Sequence, residues 1–120
     1  MMPRGALAVL ALTAAVPAVC AEAPRVNDFP TVERVLFVEA CVRDYPDRSR
    51  TEMLYKCSCV IDSIAAELSY AEYVDQSTAF AAGQVAGERG TEVRESSTGQ
   101  DLATRYRATR ASARKGCMMP

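Results

Sequence analysis

Cys57-Ser58-Cys59 lies inside a run where Met53, Cys57, Val60, Ile61, Ile64 and Leu68 recur every three or four positions, the spacing of one buried helical face. Two positions apart on a helix is a rotation of about 200°, so the two sulfurs leave the rod on nearly opposite sides. A bond between them would violate disulfide geometry, and each must therefore reach a separate neighbour. Cys41 and Cys117 stand near the ends of the first and last helical segments. The expected pairing is Cys41–Cys57 with Cys59–Cys117. The crossed pairing, Cys41–Cys59 with Cys57–Cys117, satisfies the same rotation and stays open.

Disulfides require an oxidising compartment, and the first residues point the same way. Arg4 is the only charge before Glu22, an apolar run covers Ala6 to Val16, and Val19-Cys20-Ala21 is a small-residue end. That order describes a secretory signal peptide over residues 1–21, too short to remain as a membrane anchor. Cleavage after Ala21 removes one of the five cysteines and leaves 99 of the 120 residues, enough for one domain. The expected destination is the periplasm.

The mature segment divides at its prolines, glycines and capping residues. Residues 22–30 contain two prolines and no period, which reads as a flexible lead-in to a single domain over 31–120. A first helix is expected over about 31–44, capped by Asp28 or Thr31, with Val32, Val35, Leu36, Glu39 and Val42 facing inward. Tyr45-Pro46 stops it, because a residue before proline resists helical geometry. Ser49 and Glu52 form a capping box that opens the second helix, and Ser69 and Glu72 repeat the pattern for the third. The third helix has a stripe of Tyr73, Val74, Ser77, Phe80, Ala81, Gln84 and Val85 and is expected to end at Gly87 and Gly90. A polar loop over 88–99 then leads to a last helix over about 100–115, capped by Thr98, with Leu102, Tyr106, Thr109, Ala113 and Cys117 on one side. The expected fold is all-α, a small bundle of about four helices stapled by two disulfides. So few large apolar groups in so short a chain make covalent staples valuable.

There is no histidine and no tryptophan. The lack of histidine removes the commonest general base near neutral pH, the Ser/His and Cys/His nucleophile pairs, and the commonest transition-metal ligand. No catalytic constellation is recognisable, and an enzyme is not expected. A slightly acidic exported chain is also a poor nucleic-acid binder.

Three binding or chemical roles survive those exclusions. Glu72 and Asp75 lie one turn apart and can share a face, offering oxygen ligands of the kind a hard cation takes. Alternatively, residues 102–120 carry five bases and no acid, so Arg110 and Arg114 could dock this helix on an acidic protein partner. Finally, Cys57 and Cys59 would serve thiol–disulfide exchange if they were present as an accessible dithiol.

The stretch from Glu39 to Val74 carries Glu-Ala-Cys-Val-Arg-Asp-Tyr-Pro, then Tyr-Lys-Cys-Ser-Cys-Val-Ile-Asp-Ser-Ile-Ala, then Leu-Ser-Tyr-Ala-Glu-Tyr-Val. With Gly87-Glu88-Arg89-Gly90 and the closing Lys115-Gly116-Cys117, this resembles the LanD-like lanthanide-chaperone family, small periplasmic helical proteins of methylotrophic bacteria. The resemblance covers about two thirds of the mature chain. It implies a surface site for a lanthanide and a role in periplasmic metal handling near lanthanide-dependent alcohol oxidation. Ala71 stands where the relatives carry an acid, which weakens any such site here.

Overall fold

The computed structural model describes residues 26–120, so the expected signal peptide and the first part of the lead-in lie outside the described residues. Five helices and no strand make up the described chain: α1 Thr31–Arg43, α2 Arg50–Glu67, α3 Tyr70–Gly83, α4 Glu88–Glu95 and α5 Ser97–Gly116. None is long and apolar enough to cross a membrane.

α2 is the central rod. Met53, Cys57, Val60, Ile61 and Ile64 are its fully buried side chains, and they are the residues its period selects. Burying each of the four apolar side chains among them contributes about 1.5–3 kcal/mol. Its upper part packs with Phe29, Ala113 and Cys117, and its first turns pack with Val42 of α1. Both disulfides radiate from this rod, Cys41–Cys57 to α1 and Cys59–Cys117 to α5, with Cα–Cα distances of 6.0 and 5.8 Å. The uncrossed pairing is the one formed.

The helix ends show how local chemistry and distant contacts divide the work. At α3 the capping box is complete: Ser69 Oγ accepts the Glu72 amide, and Glu72 Oε2 accepts the Ser69 amide at 2.8 Å. At α2 only half of the expected box forms. Ser49 Oγ accepts the Glu52 amide at 3.4 Å, while the Glu52 carboxylate pairs with Lys56 Nζ at 2.7 Å. That pairing, a hydrogen bond first and a charge second, holds the Glu52 carboxyl below its usual range.

Residues 26–30, expected as part of the lead-in, pack against the bundle through Phe29. Phe29 is only 5% exposed, with its ring 5.4 Å from Tyr70 and 4.9 Å from Tyr73. Asn27 Oδ1 accepts the Phe29 amide at 3.0 Å, the side-chain turn that asparagine favours. Asp28 does not cap α1. Its carboxylate accepts the Tyr70 amide at 3.0 and 3.1 Å, closing the first turn of α3 from 42 residues away, and Pro30 takes the N-cap place of α1 with no side-chain bond.

Two inward faces also differ from expectation. On α1, Val32, Val35 and Leu36 are 60, 49 and 54% exposed, and the inward residues are Phe37, Val38 and Val42. Apolar residues surround most of this helix, so its rotation is undecided locally. The bond from Cys41 decides it, because Phe37 and Val38 are the i−4 and i−3 neighbours that share the cysteine's face. On α3, Val74 is exposed and Gln76 is buried, and Val85 lies exposed beyond the helix end at Gly83. The packing of Tyr73 and Phe80 against Tyr106 of α5, at 6.0 and 5.4 Å, sets that phase.

Gln76 is 7% exposed, and its Oε1 has no hydrogen-bond partner among the described residues. Leaving a buried acceptor unmet costs about 1–3 kcal/mol. Gln76→Met is therefore expected to raise stability by about 1 kcal/mol, read as a higher urea midpoint with an unchanged slope.

The expected loop over 88–99 is instead α4 followed by the first turn of α5, which brings the helices of the described residues to five where about four were expected. α4 escapes a hydrophobic pattern because polar bonds hold it. Arg94 donates to the Gly83 and Val85 carbonyls at 3.0 and 2.9 Å and to Thr91 Oγ1 at 3.0 Å. Gly87, at φ +83°, turns the chain into it. Gly90 lies within α4 rather than ending α3, and a Cβ there would fall 1.8 Å from the Val85 oxygen. α5 begins at Ser97, capped by Ser96 rather than Thr98, with Ser96 Oγ accepting the Gly99 amide at 3.2 Å.

Candidate functional site

α1 packs on α2, and α3 packs chiefly on α5, while the backbones of α1 and α3 do not approach each other. The gap between them is a groove of about 370 Å³. Phe37 and Ala40 of α1 with Asp44 just past its end form one wall, Ser77, Phe80 and Ala81 of α3 the other, and Val60 of α2 contributes to the lining. α5 adds Tyr106, Arg110 and Arg114. The side chain of Met119 also lines this space, brought there beyond the anchored Cys117.

The two arginines expected to meet a partner therefore share one groove, but they differ in freedom. Arg114 Nη2 donates to Tyr45 Oη and, at 3.2 Å, to the Pro120 main-chain oxygen. Its guanidinium lies 5.8 Å from the Tyr45 ring centroid. Arg114 thus ties α5 to the turn after α1, a contact across 69 residues that no local pattern announces. Arg110 is half-buried, with its guanidinium 6.0 Å from the Phe80 centroid, and Arg107 approaches the same ring at 5.8 Å. Among the described residues neither Arg107 nor Arg110 is paired with a carboxylate. A guanidinium on an aromatic face keeps its charge and its outward N–H donors.

Tyr106 puts no negative charge beside Arg110. Burial pushes its phenol up, outweighing the opposing pull of Arg110. Burial, followed by the proximity of Tyr106, pushes Tyr73 up as well. Both rings are neutral through the physiological range, and the charge of the groove is that of Arg110, Arg114 and Asp44.

The carboxylate pair is placed differently. Glu72 accepts from both the amide and the hydroxyl of Ser69 at 2.8 Å, which commits it to the helix start. Asp75 lies one turn further on and lines a separate depression with Glu92 and Ser96. A hard cation takes six to eight oxygens, by general coordination chemistry, whereas among the described residues no group of three or more His, Cys, Asp or Glu stands close enough to hold a metal. The residues described do not by themselves fit a lanthanide.

Cys57 and Cys59 are not a dithiol. Cys57 is fully buried in its bond to Cys41, and Cys59 is bonded to Cys117, beside which Ser63 Oγ lies 3.6 Å from the sulfur. Each sulfur acts as a tether to a different helix.

The fold and the groove together define a two-disulfide, all-α domain with a basic-edged apolar cleft. No protein-family model, curated protein or solved structure matches the chain.

Proposed function

We propose that this is a small exported binding module, acting in the periplasm, that docks an acidic protein partner through the basic side of α5. The observation that carries this reading is Arg110, a half-buried guanidinium stacked on Phe80 at the edge of an apolar groove with no carboxylate of its own among the described residues. The surrounding charge supports it, since residues 102–120 hold five bases and no acid. Two disulfides and the leader-like residues 1–21 support export. Interfaces of this kind use arginine and aromatic side chains as anchors.

Tagged wild type and Arg110→Glu, compared as baits in a periplasmic extract, test the reading. Arg105→Glu makes the same charge change at an exposed residue already paired with Asp101 at 2.9 Å. Capture of the partner falls at least about fivefold, roughly 1 kcal/mol, for Arg110→Glu and weakens with salt, while Arg105→Glu behaves nearly as wild type. Equal capture by both variants removes the proposal.

The lanthanide carrier that the resemblance implies makes a different forecast. Calorimetric titration with lanthanum is expected to give the same trace for wild type and for Glu72→Gln/Asp75→Asn. Heat present in the first and lost in the second would restore the metal-carrier reading in place of this one.

A further inference from the structure

The groove beside Arg110 has a shape and chemistry that bare charge attraction does not require. Phe37 and Ala40 face Phe80 and Ala81 across an apolar space, and the charges at its margin are asymmetric. Arg110 and Arg114 stand on α5, whereas Asp44 stands at the C-terminal end of α1. A ligand with an apolar body and one carboxylate is therefore oriented, acid toward α5 and away from Asp44.

The chain itself already shows this pairing in part. Met119 seats an apolar side chain in the groove, and the next residue, Pro120, places a main-chain oxygen on Arg114 at 3.2 Å. Arg110, one turn earlier on the same helix, has the equivalent guanidinium with no oxygen on it among the described residues. The open portion of the groove thus matches a second apolar group followed by an oxygen anion.

We infer that the groove is the anchor pocket for an acidic, amphipathic helical segment of the partner, which inserts one large apolar side chain between Phe37 and Phe80 and sets a carboxylate on Arg110. This rests on the reading of α5 as the docking side and specifies what that side recognises. An amphipathic helix in an apolar groove is a recurrent recognition mode, and a bidentate arginine–carboxylate pair fixes its register.

The test uses a blocked alanine–serine helical peptide bearing one phenylalanine and one glutamate a helical turn apart. Two counterparts replace the phenylalanine by serine or the glutamate by glutamine. Binding is followed by amide and side-chain NMR shifts at Phe37, Phe80 and Arg110. The parent peptide shifts these signals, and each counterpart binds at least about tenfold more weakly. Ala81→Trp, which fills the groove from an exposed position without altering charge, abolishes the shifts, and Ala40→Trp does the same from the other wall. No shift at millimolar parent peptide, or equal binding by the serine counterpart, overturns the anchor. Partner capture that survives Ala81→Trp but falls with Arg110→Glu also overturns the anchor while leaving the docking proposal standing. Capture indifferent to both variants overturns docking itself.

Discussion

Replacing Cys59 and Cys117 together by alanine is expected to remove about 4 kcal/mol of stability, from the chain entropy of the loop they close. The bond spans 58 residues and ties the central rod to the last helix. Removing Cys41–Cys57, with a separation of 16, costs about 3 kcal/mol by the same argument. A domain of this size has about 5–15 kcal/mol in total, so losing either bond is severe and losing both removes about half of that stability or more. The larger effect corresponds to a melting temperature lower by roughly 15–30 °C. Thermal and urea unfolding of the two double variants measure it. A loss below about 1 kcal/mol for the Cys59–Cys117 pair would show that the unfolded chain is already compact where that bond constrains it.

Phe29→Ala is expected to cost about 3 kcal/mol, the order found for deleting a buried aromatic. The ring closes the end of the core nearest α3, against Tyr70 and Tyr73, and contacts the cluster of Val60, Ile61, Ile64 and Ala65. Loss of the ring also loosens the segment that carries Asp28 to the first amide of α3. Hydrogen exchange at Tyr70 should therefore accelerate more than at Ile64. Val26→Ala, at a site 89% exposed, is the control and should be neutral. If Phe29→Ala proved as harmless as Val26→Ala, residues 26–30 would be a passive lead-in after all.

Phe29 was illegible in the sequence for a definable reason. Periodicity needs several residues at regular intervals, and Phe29 stands alone between Asp28 and Pro30. The signal available was Asn27 two residues before it, a side chain able to close a turn on the Phe29 amide, but a turn does not reveal burial. The same limit hid α4, whose Glu-Arg-Gly-Thr-Glu-Val-Arg-Glu run is held by Arg94 on the carbonyls of Gly83, at the end of α3, and Val85 just beyond it. Tyr45 and Arg114 lie too far apart in the chain for any local pattern to join them. Arg110 and Arg114 were recognisable as cations on a basic helix; that one would be committed to Tyr45 and the other left on Phe80 was not.

What the chain alone determined is local: the central rod with Met53, Cys57, Val60, Ile61 and Ile64 inward, the capping box at Ser69 and Glu72, and two sulfurs leaving that rod on opposite sides. These follow from 3.6 residues per turn and from amides that need partners at a helix start, both readable over a few positions. Tertiary structure decided which pairing of the disulfides formed, how α1 and α3 are rotated about their axes, and that a groove remains between them. Those outcomes depend on surfaces meeting across many residues, where apolar groups on several sides of a helix leave its phase undecided until a disulfide or an aromatic contact selects it.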